Sequence, residues 1–173
     1  MATATVTNKG EKSLTHWLRD AHAMEIQAVQ VLSTTATRIE HYPELRERLE
    51  KHVAQSRRHA DLIGGCLERH GGTSTLKDIA GRWVGLAQAL SGLFVGDEIV
   101  KASMASYVFE EMEIAAYKIL MAAAEHCGDP ETKRACEGIL REEEEMARWL
   151  DERLPLITRE YLTRAEQGMT AKH

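Results

Sequence analysis

Apolar residues recur along four stretches at spacings of four and three. Between residues 11 and 38 the stripe reads Leu14, Leu18, Ala21, Glu25, Ala28 and Leu32, the pattern by which a helix buries one face. Residues 43 to 69 repeat it with Leu45, Leu49, His52, Ser56, His59, Ile63 and Cys66. Residues 97 to 126 give Ile99, Ala102, Ser106, Phe109, Glu113, Ala116 and Leu120, and a stretch from residue 130 to about 153 gives Cys136, Ile139, Glu143, Met146 and Leu150. The spacing predicts four long helices. Pro43 suits the first turn of the second, and Asp129 followed by Pro130 provides an N-cap and first helical residue for the fourth. The four pair into two hairpins.

Between the hairpins, HGGTST ends the second helix, and residues 76 to 91, centred on DIAGRWVGLAQAL, predict a shorter apolar helix. Such a connector can travel a good part of a bundle's length, so the third helix should start at the same end as the second. After Pro155, LITREYLTRA predicts a short terminal helix. The expected division is a flexible N-terminus over residues 1 to 10, one helical domain over 11 to 165, and a polar tail over 166 to 173.

The hairpins resemble each other. MEIQAVQVL at residues 24 to 32 and MEIAAYKIL at 112 to 120 share five of nine positions, the glutamate among them. Glu25 and Glu113 lie 88 residues apart and Pro43 and Pro130 lie 87, so the repeat covers whole hairpins and implies an internal pseudo-twofold. Each stripe carries polar residues, and Glu25, His59, Glu113 and Glu143 stand at similar distances from their hairpin turns. They should converge near mid-bundle.

Burying an isolated carboxylate costs several kcal/mol in practice, so three at one level call for compensating positive charge. A pair of divalent cations supplies it. Carboxylate oxygens with imidazole suit iron or manganese. Cys66, Cys127 and Cys136 form no CxxC pair and none stands at this level, which argues against a thiolate zinc site and reads as buried thiols. Glu142 to Glu145 form a charge run, by default a solvated face opposite the Arg-rich surface of the second helix.

Through LRDAHAMEIQA, KHVAQSRRHADLI, EEMEIAAYKIL and LREEEEMARWL, residues 12 to 153 resemble the ferritin-like di-metal carboxylate proteins, and more specifically the YciE/YciF family of bacterial stress proteins. The resemblance implies an all-α ferritin-like four-helix bundle of two helical hairpins, with a long crossover carrying a short helix. It also implies metal ligands at Glu25, His59, Glu113 and Glu143, with Glu110, one turn before Glu113, making the Glu-x-x-Glu pair of rubrerythrin-like members. The superfamily pattern takes one Glu from each of two helices and Glu-x-x-His from each of the others. Two positions depart from it: Ser56 stands three before His59 where a Glu belongs, and Met146 stands three after Glu143 where a His belongs. The family alternative, Glu at Gln55 and an acid at Ala147, is not met either. His22 and His52 are available substitutes outside any familiar pattern, and His52 and Gln55 read first as core polar contacts. Tyr117, one turn after Glu113, reads as a core tyrosine or a hydrogen-bond partner of the carboxylates.

Composition narrows the classes. A net charge of -5 and pI near 5.9 argue against general nucleic-acid binding, and no apolar stretch long enough for a signal or membrane span occurs. The expectation is a cytoplasmic homodimer, with Trp83 and Phe94 of the connector as candidate interface residues, and no nucleic-acid or membrane partner. Its expected function is that of a stress-associated protein with a di-iron site, manganese being the other candidate, of a kind that reacts with oxygen or peroxide. Two alternatives stand beside it: a metal-free structural or interaction bundle that lost the chemistry, and mini-ferritin iron storage, which requires a hollow shell.

Overall fold

Two apolar clusters with a polar layer between them organise the bundle. The computed structural model describes residues 2–72 and 98–171. Its elements are α1 (Ala2–Arg38), α2 (Pro43–Arg69), α3 (Glu98–His126) and α4 (Pro130–Glu166). The predicted connector helix, with Trp83 and Phe94, lies outside the described residues.

One cluster packs Leu14, Leu18 and Met24 of α1 against Ile63 and Leu67 of α2, Leu120 and Ala124 of α3, and Cys136 and Ile139 of α4. The other joins Leu32 and Ala36 of α1, Leu45 and Leu49 of α2, Ile99 of α3, and Met146 and Leu150 of α4. The start of α3 therefore meets the start of α2, and the two helices run parallel. The order is up, down, down, up, as a long crossover requires. Each fully buried leucine contributes about 1.5–3 kcal/mol, so the clusters clamp the layer between them from both ends.

The hairpin turns are built differently. At the α3–α4 turn, Gly128 adopts φ +70 and the Asp129 backbone N–H reaches the Ala124 carbonyl at 2.8 Å, closing α3 as a glycine C-terminal cap does. Asp129 Oδ1 then accepts the N–H groups of Glu131 and Thr132 at 3.1 and 3.0 Å, capping α4. At the α1–α2 turn Tyr42 precedes Pro43 and caps nothing with its side chain. Its hydroxyl donates instead to the Ala171 carbonyl at 2.8 Å, tying the C-terminal segment to the turn.

Two boundaries and one buried position differ from expectation. Helix α1 starts at Ala2 rather than residue 11, and near its start a methyl group on Gly10 would meet the His126 ring at 3.3 Å, so this end packs against the end of α3. Helix α4 runs through Pro155 to Glu166 as one element. An exposed proline removes one N–H and leaves the rest of the ladder intact. Phe109, expected on the buried stripe, is only partly buried, and Glu110 beside it is fully buried instead. No described helix is long and apolar enough to cross a membrane.

Candidate metal centre

The polar layer comes from all four helices. Glu25 projects from α1 between the core residues Met24 and Ala28; His52, Ser56 and His59 form one inward face of α2. Glu110 and Glu113 come from successive turns of α3, and Glu143 from α4, between Ile139 and Met146. Glu25, His52, Ser56, Glu110, Glu113 and Glu143 are all 0% exposed, and His59 is 2%.

Two groups of facing ligand atoms result. Glu25, His59 and Glu143 form one; His52, Glu110, Glu113 and Glu143 form the other, and within each the ligand atoms lie within 4.8 Å of one another. Glu143 belongs to both. Every residue expected from sequence as a ligand, Glu25, His59, Glu110, Glu113 and Glu143, is thus brought into the layer, and His52 joins them. His22, the other candidate substitute, belongs to neither group; it is half-buried and sits beside Gly64.

Each histidine turns one ring nitrogen inward and holds the other outward. His59 Nδ1 stands 2.8 Å from Glu143 and 3.7 Å from Glu25, and its Nε2 meets Glu142 at 3.1 Å. Glu142 in turn pairs with Arg58 at 3.0 Å. His52 Nε2 stands 3.0 Å from Glu110 and 3.1 Å from Glu143, while its Nδ1 lies 3.1 Å from the Gln55 amide oxygen. With an acceptor holding the outer proton, loss of the inner one would leave a lone pair facing the centre of the layer, the arrangement that orients a metal-binding imidazole. On the other side, the Tyr117 hydroxyl donates to Glu25. The Glu run divides as its default reading implies: Glu143 points in, and Glu142 and Glu145 meet Arg58 and Arg48 at the surface.

Much of this layer has no hydrogen bond. Both oxygens of Glu110, Glu113 and Glu143, Oε2 of Glu25, and the inner nitrogens of His52 and His59 are buried without an aligned partner, as is Ser56 Oγ. Close approach without alignment is the geometry of groups arranged around a common centre. Buried polar atoms left this way are rare and costly.

The electrostatics reflect that crowding. Burial pushes the Glu113 carboxyl well above its ordinary range, and Glu25, Glu143 and Glu110 push it the same way. Burial lifts Glu110 to about 8 against the opposing His52, and lifts Glu25. For His59 burial works downward, but the contacts with Glu143 and Glu25 outweigh it and raise the imidazole to about 10. His52 is raised by Glu110 and Glu143, again against burial. Glu143 alone moves down, to about 2, because two imidazoles face it and overcome its desolvation. Metal-free, the layer is a set of protons shared among groups that would give them up around a cation.

Those residues fit a pair of divalent ions. Two such ions carry the charge that balances four ionised carboxylates, and the orphaned oxygens and inward nitrogens are the donors they take. The two departures from the expected pattern are real in space. Ser56 is too short to reach as a glutamate would, and Met146 packs in the second apolar cluster, its sulfur accepting from Arg48 Nε at 3.3 Å. Gln55 serves as the partner of His52, and Ala147 is core.

Residues 9–163 match the family described as "Domain of unknown function (DUF892)". The chain belongs to that family. Among solved structures, it shares 36% identity and a TM-score of 0.80 with a protein from Xanthomonas campestris pv. campestris, covering 91% of this chain and 99% of that one. The bacterioferritin of Desulfovibrio desulfuricans, described with a diiron site, aligns at 20% identity and a TM-score of 0.73 over 88% of this chain and 84% of its own. A ferritin-like diiron-carboxylate protein of Bacillus anthracis aligns at 19% and 0.71, over 84% and 97%. The DUF892 chain is therefore an all-α, ferritin-like four-helix bundle, as expected from sequence, with buried His and Glu groups that could hold a metal.

From sequence His52 stands only as a substitute outside the familiar pattern. A Glu-x-x-His template counts along one helix, whereas His52 completes a group whose carboxylates stand on α3 and α4. The available signal was its place on the buried stripe of α2, one heptad before His59.

Proposed function

We propose that the protein is a carboxylate-bridged di-metal protein, with iron as the metal and manganese as the other candidate. The observation that carries this reading is the fully buried layer of four carboxylates and two imidazoles whose facing atoms lack hydrogen bonds. Glu25, His59, Glu110, Glu113 and Glu143 are the proposed ligands, with the inward nitrogen of His52 beside them. A bound iron pair would supply redox chemistry toward oxygen or peroxide. The chain's own contribution is to exclude water from both ends through the apolar clusters. It also fixes the imidazoles through Glu142 and Gln55 and holds Glu25 through the Tyr117 hydroxyl. A stress-associated role rests on the family resemblance.

The metal-free structural bundle remains the second reading because the imidazoles and Glu143 can neutralise one another unaided. We also propose a homodimer in the cytoplasm. Met104, Val108 and Ile119 expose apolar surface on α3, which a partner could bury; iron storage would demand a larger closed shell. Elemental analysis of protein purified without chelators, combined with its mass in solution, separates these readings. Near-stoichiometric iron in a dimer supports the di-metal protein. A metal-free dimer that takes up no added iron supports the structural reading, and a large hollow assembly supports storage.

A further inference from the structure

We infer that the two metal positions are unequal: one has four protein residues facing it and holds its ion tightly, and the other has three and takes an exogenous small oxyanion or azide-like ligand beside Ser56. This rests on the di-metal reading and specifies what each half of it does.

The inequality follows from the donor sets. The group on the α3 side has four residues, His52, Glu110, Glu113 and Glu143, whereas the group on the α1 side has three, Glu25, His59 and Glu143. The repeat explains the deficit. With the 87-residue offset that relates Pro43 to Pro130, Ser56 is the counterpart of Glu143 and His59 the counterpart of Met146. The imidazole that Met146 does not supply to the α3 side is supplied from across the bundle by His52, and Glu110 adds a further carboxylate there. Among the described residues none replaces the carboxylate that Ser56 does not supply to the α1 side.

Ser56 itself points to a ligand. It is fully buried on the inward face of α2, one turn from both His52 and His59, and its hydroxyl has no hydrogen-bond partner. A buried hydroxyl without a partner is costly. A small anion on the α1-side ion would accept that hydroxyl's hydrogen bond and occupy the place where a glutamate would otherwise reach. The structure therefore assigns storage of one ion to the α3 side and ligand exchange to the α1 side, with Glu143 joining them.

Mn(II) titration of the chelator-treated full chain, followed by electron paramagnetic resonance, tests this without any turnover assay. Two ions per chain should bind with dissociation constants separated by about tenfold or more, the first giving an isolated Mn(II) signal and the second a coupled pair. His52→Ala should abolish the tight step, and Glu25→Gln should remove only the weak one. Azide should perturb the spectrum of the two-ion protein alone. Ser56→Glu should bring the two affinities together and suppress the azide effect, and Ser56→Ala should keep the weak step but reduce the azide response, which covers a failure of the glutamate variant to fold. Two equal affinities, a tight step that survives His52→Ala, or an azide response unchanged by both Ser56 variants would overturn the inference and leave the di-metal reading standing. No Mn(II) binding by the wild-type chain would overturn both.

Discussion

The two hairpins share one plan and differ in what they bring to the polar layer. Glu25 and Glu113 occupy equivalent places, as do Pro43 and Pro130. Yet where α4 has Glu143 and Met146, α2 has Ser56 and His59. Neither hairpin carries a complete Glu-x-x-His pair, and the layer is completed only when they pack together. Glu143 then faces both histidines of the opposite hairpin. On the di-metal proposal, a motif incomplete in each half of a repeat is not a site lost, because the ligands need share only a level in the bundle and not a helix.

The strongest break of this comparison is at the shared residue. Glu143→Gln keeps the shape and removes the one anion common to both groups, so bound iron should fall from two per chain to near zero. In the metal-free protein it also leaves two buried imidazoles without their shared partner, and urea denaturation should show a loss of roughly 3 kcal/mol or more. A variant that retained both irons would show that the hairpins do not meet through Glu143.

The opposite change sharpens it. Ser56→Glu with Met146→His gives each hairpin its full pair and should raise iron affinity, by about tenfold or more in reconstitution read by iron stoichiometry. If the wild type holds two tight irons and the double variant none, the assignment of Ser56 and Met146 to ligand positions is wrong. Tyr117→Phe removes the donor that holds Glu25 on the α1 side only. Affinity there should drop by about 10–100-fold, with the α3-side ion unaffected.

The metal-free layer should also declare itself in pH. Glu110 is raised from 4.5 to about 8 and His59 from 6.5 to about 10, so the folded state holds protons that the unfolded chain releases. Their stabilisation is complete below 4.5 and 6.5 respectively and is lost as pH rises through about 8 and about 10. Glu143, lowered to about 2, contributes in the other sense: its share is present above 4.5 and disappears as pH falls toward about 2. Thermal melts of chelator-treated protein should therefore decline from neutral pH to about 10, and iron-loaded protein, whose ligands have already given up their protons, should decline less. The smallest contrast lies at the turns. Asp129→Ala should destabilise by about 1 kcal/mol through the lost cap on α4, and Pro43, with no side-chain cap before it, offers no such loss.

Much of this was legible from the chain. The alternation of four and three fixes which face of each helix is buried, and because Glu25, Glu113 and Glu143 fall on that face, their convergence follows from helix geometry. The bounds of the second helix could be read from Pro43 and the glycines after Arg69. What was hidden depends on contacts between elements. Residues 2 to 10 carry β-branched and glycine residues of low helical propensity, yet the helix is extended where it packs against α3. Pro155 signals a helix end, yet its exposed position tolerates the missing hydrogen bond. The place of His52 against Glu110 and Glu143 appears only when α2 is laid beside α3 and α4, since its carboxylate partners are not on its own helix.

Diffraction from iron-reconstituted crystals, recorded on both sides of the iron absorption edge, tests the central claim most directly. The account predicts two anomalous peaks inside the bundle, roughly 3.5–4 Å apart, one against Glu25, His59 and Glu143 and one against His52, Glu110, Glu113 and Glu143. A bundle without such peaks, its carboxylates hydrogen-bonded to water and to the two histidines, would contradict it.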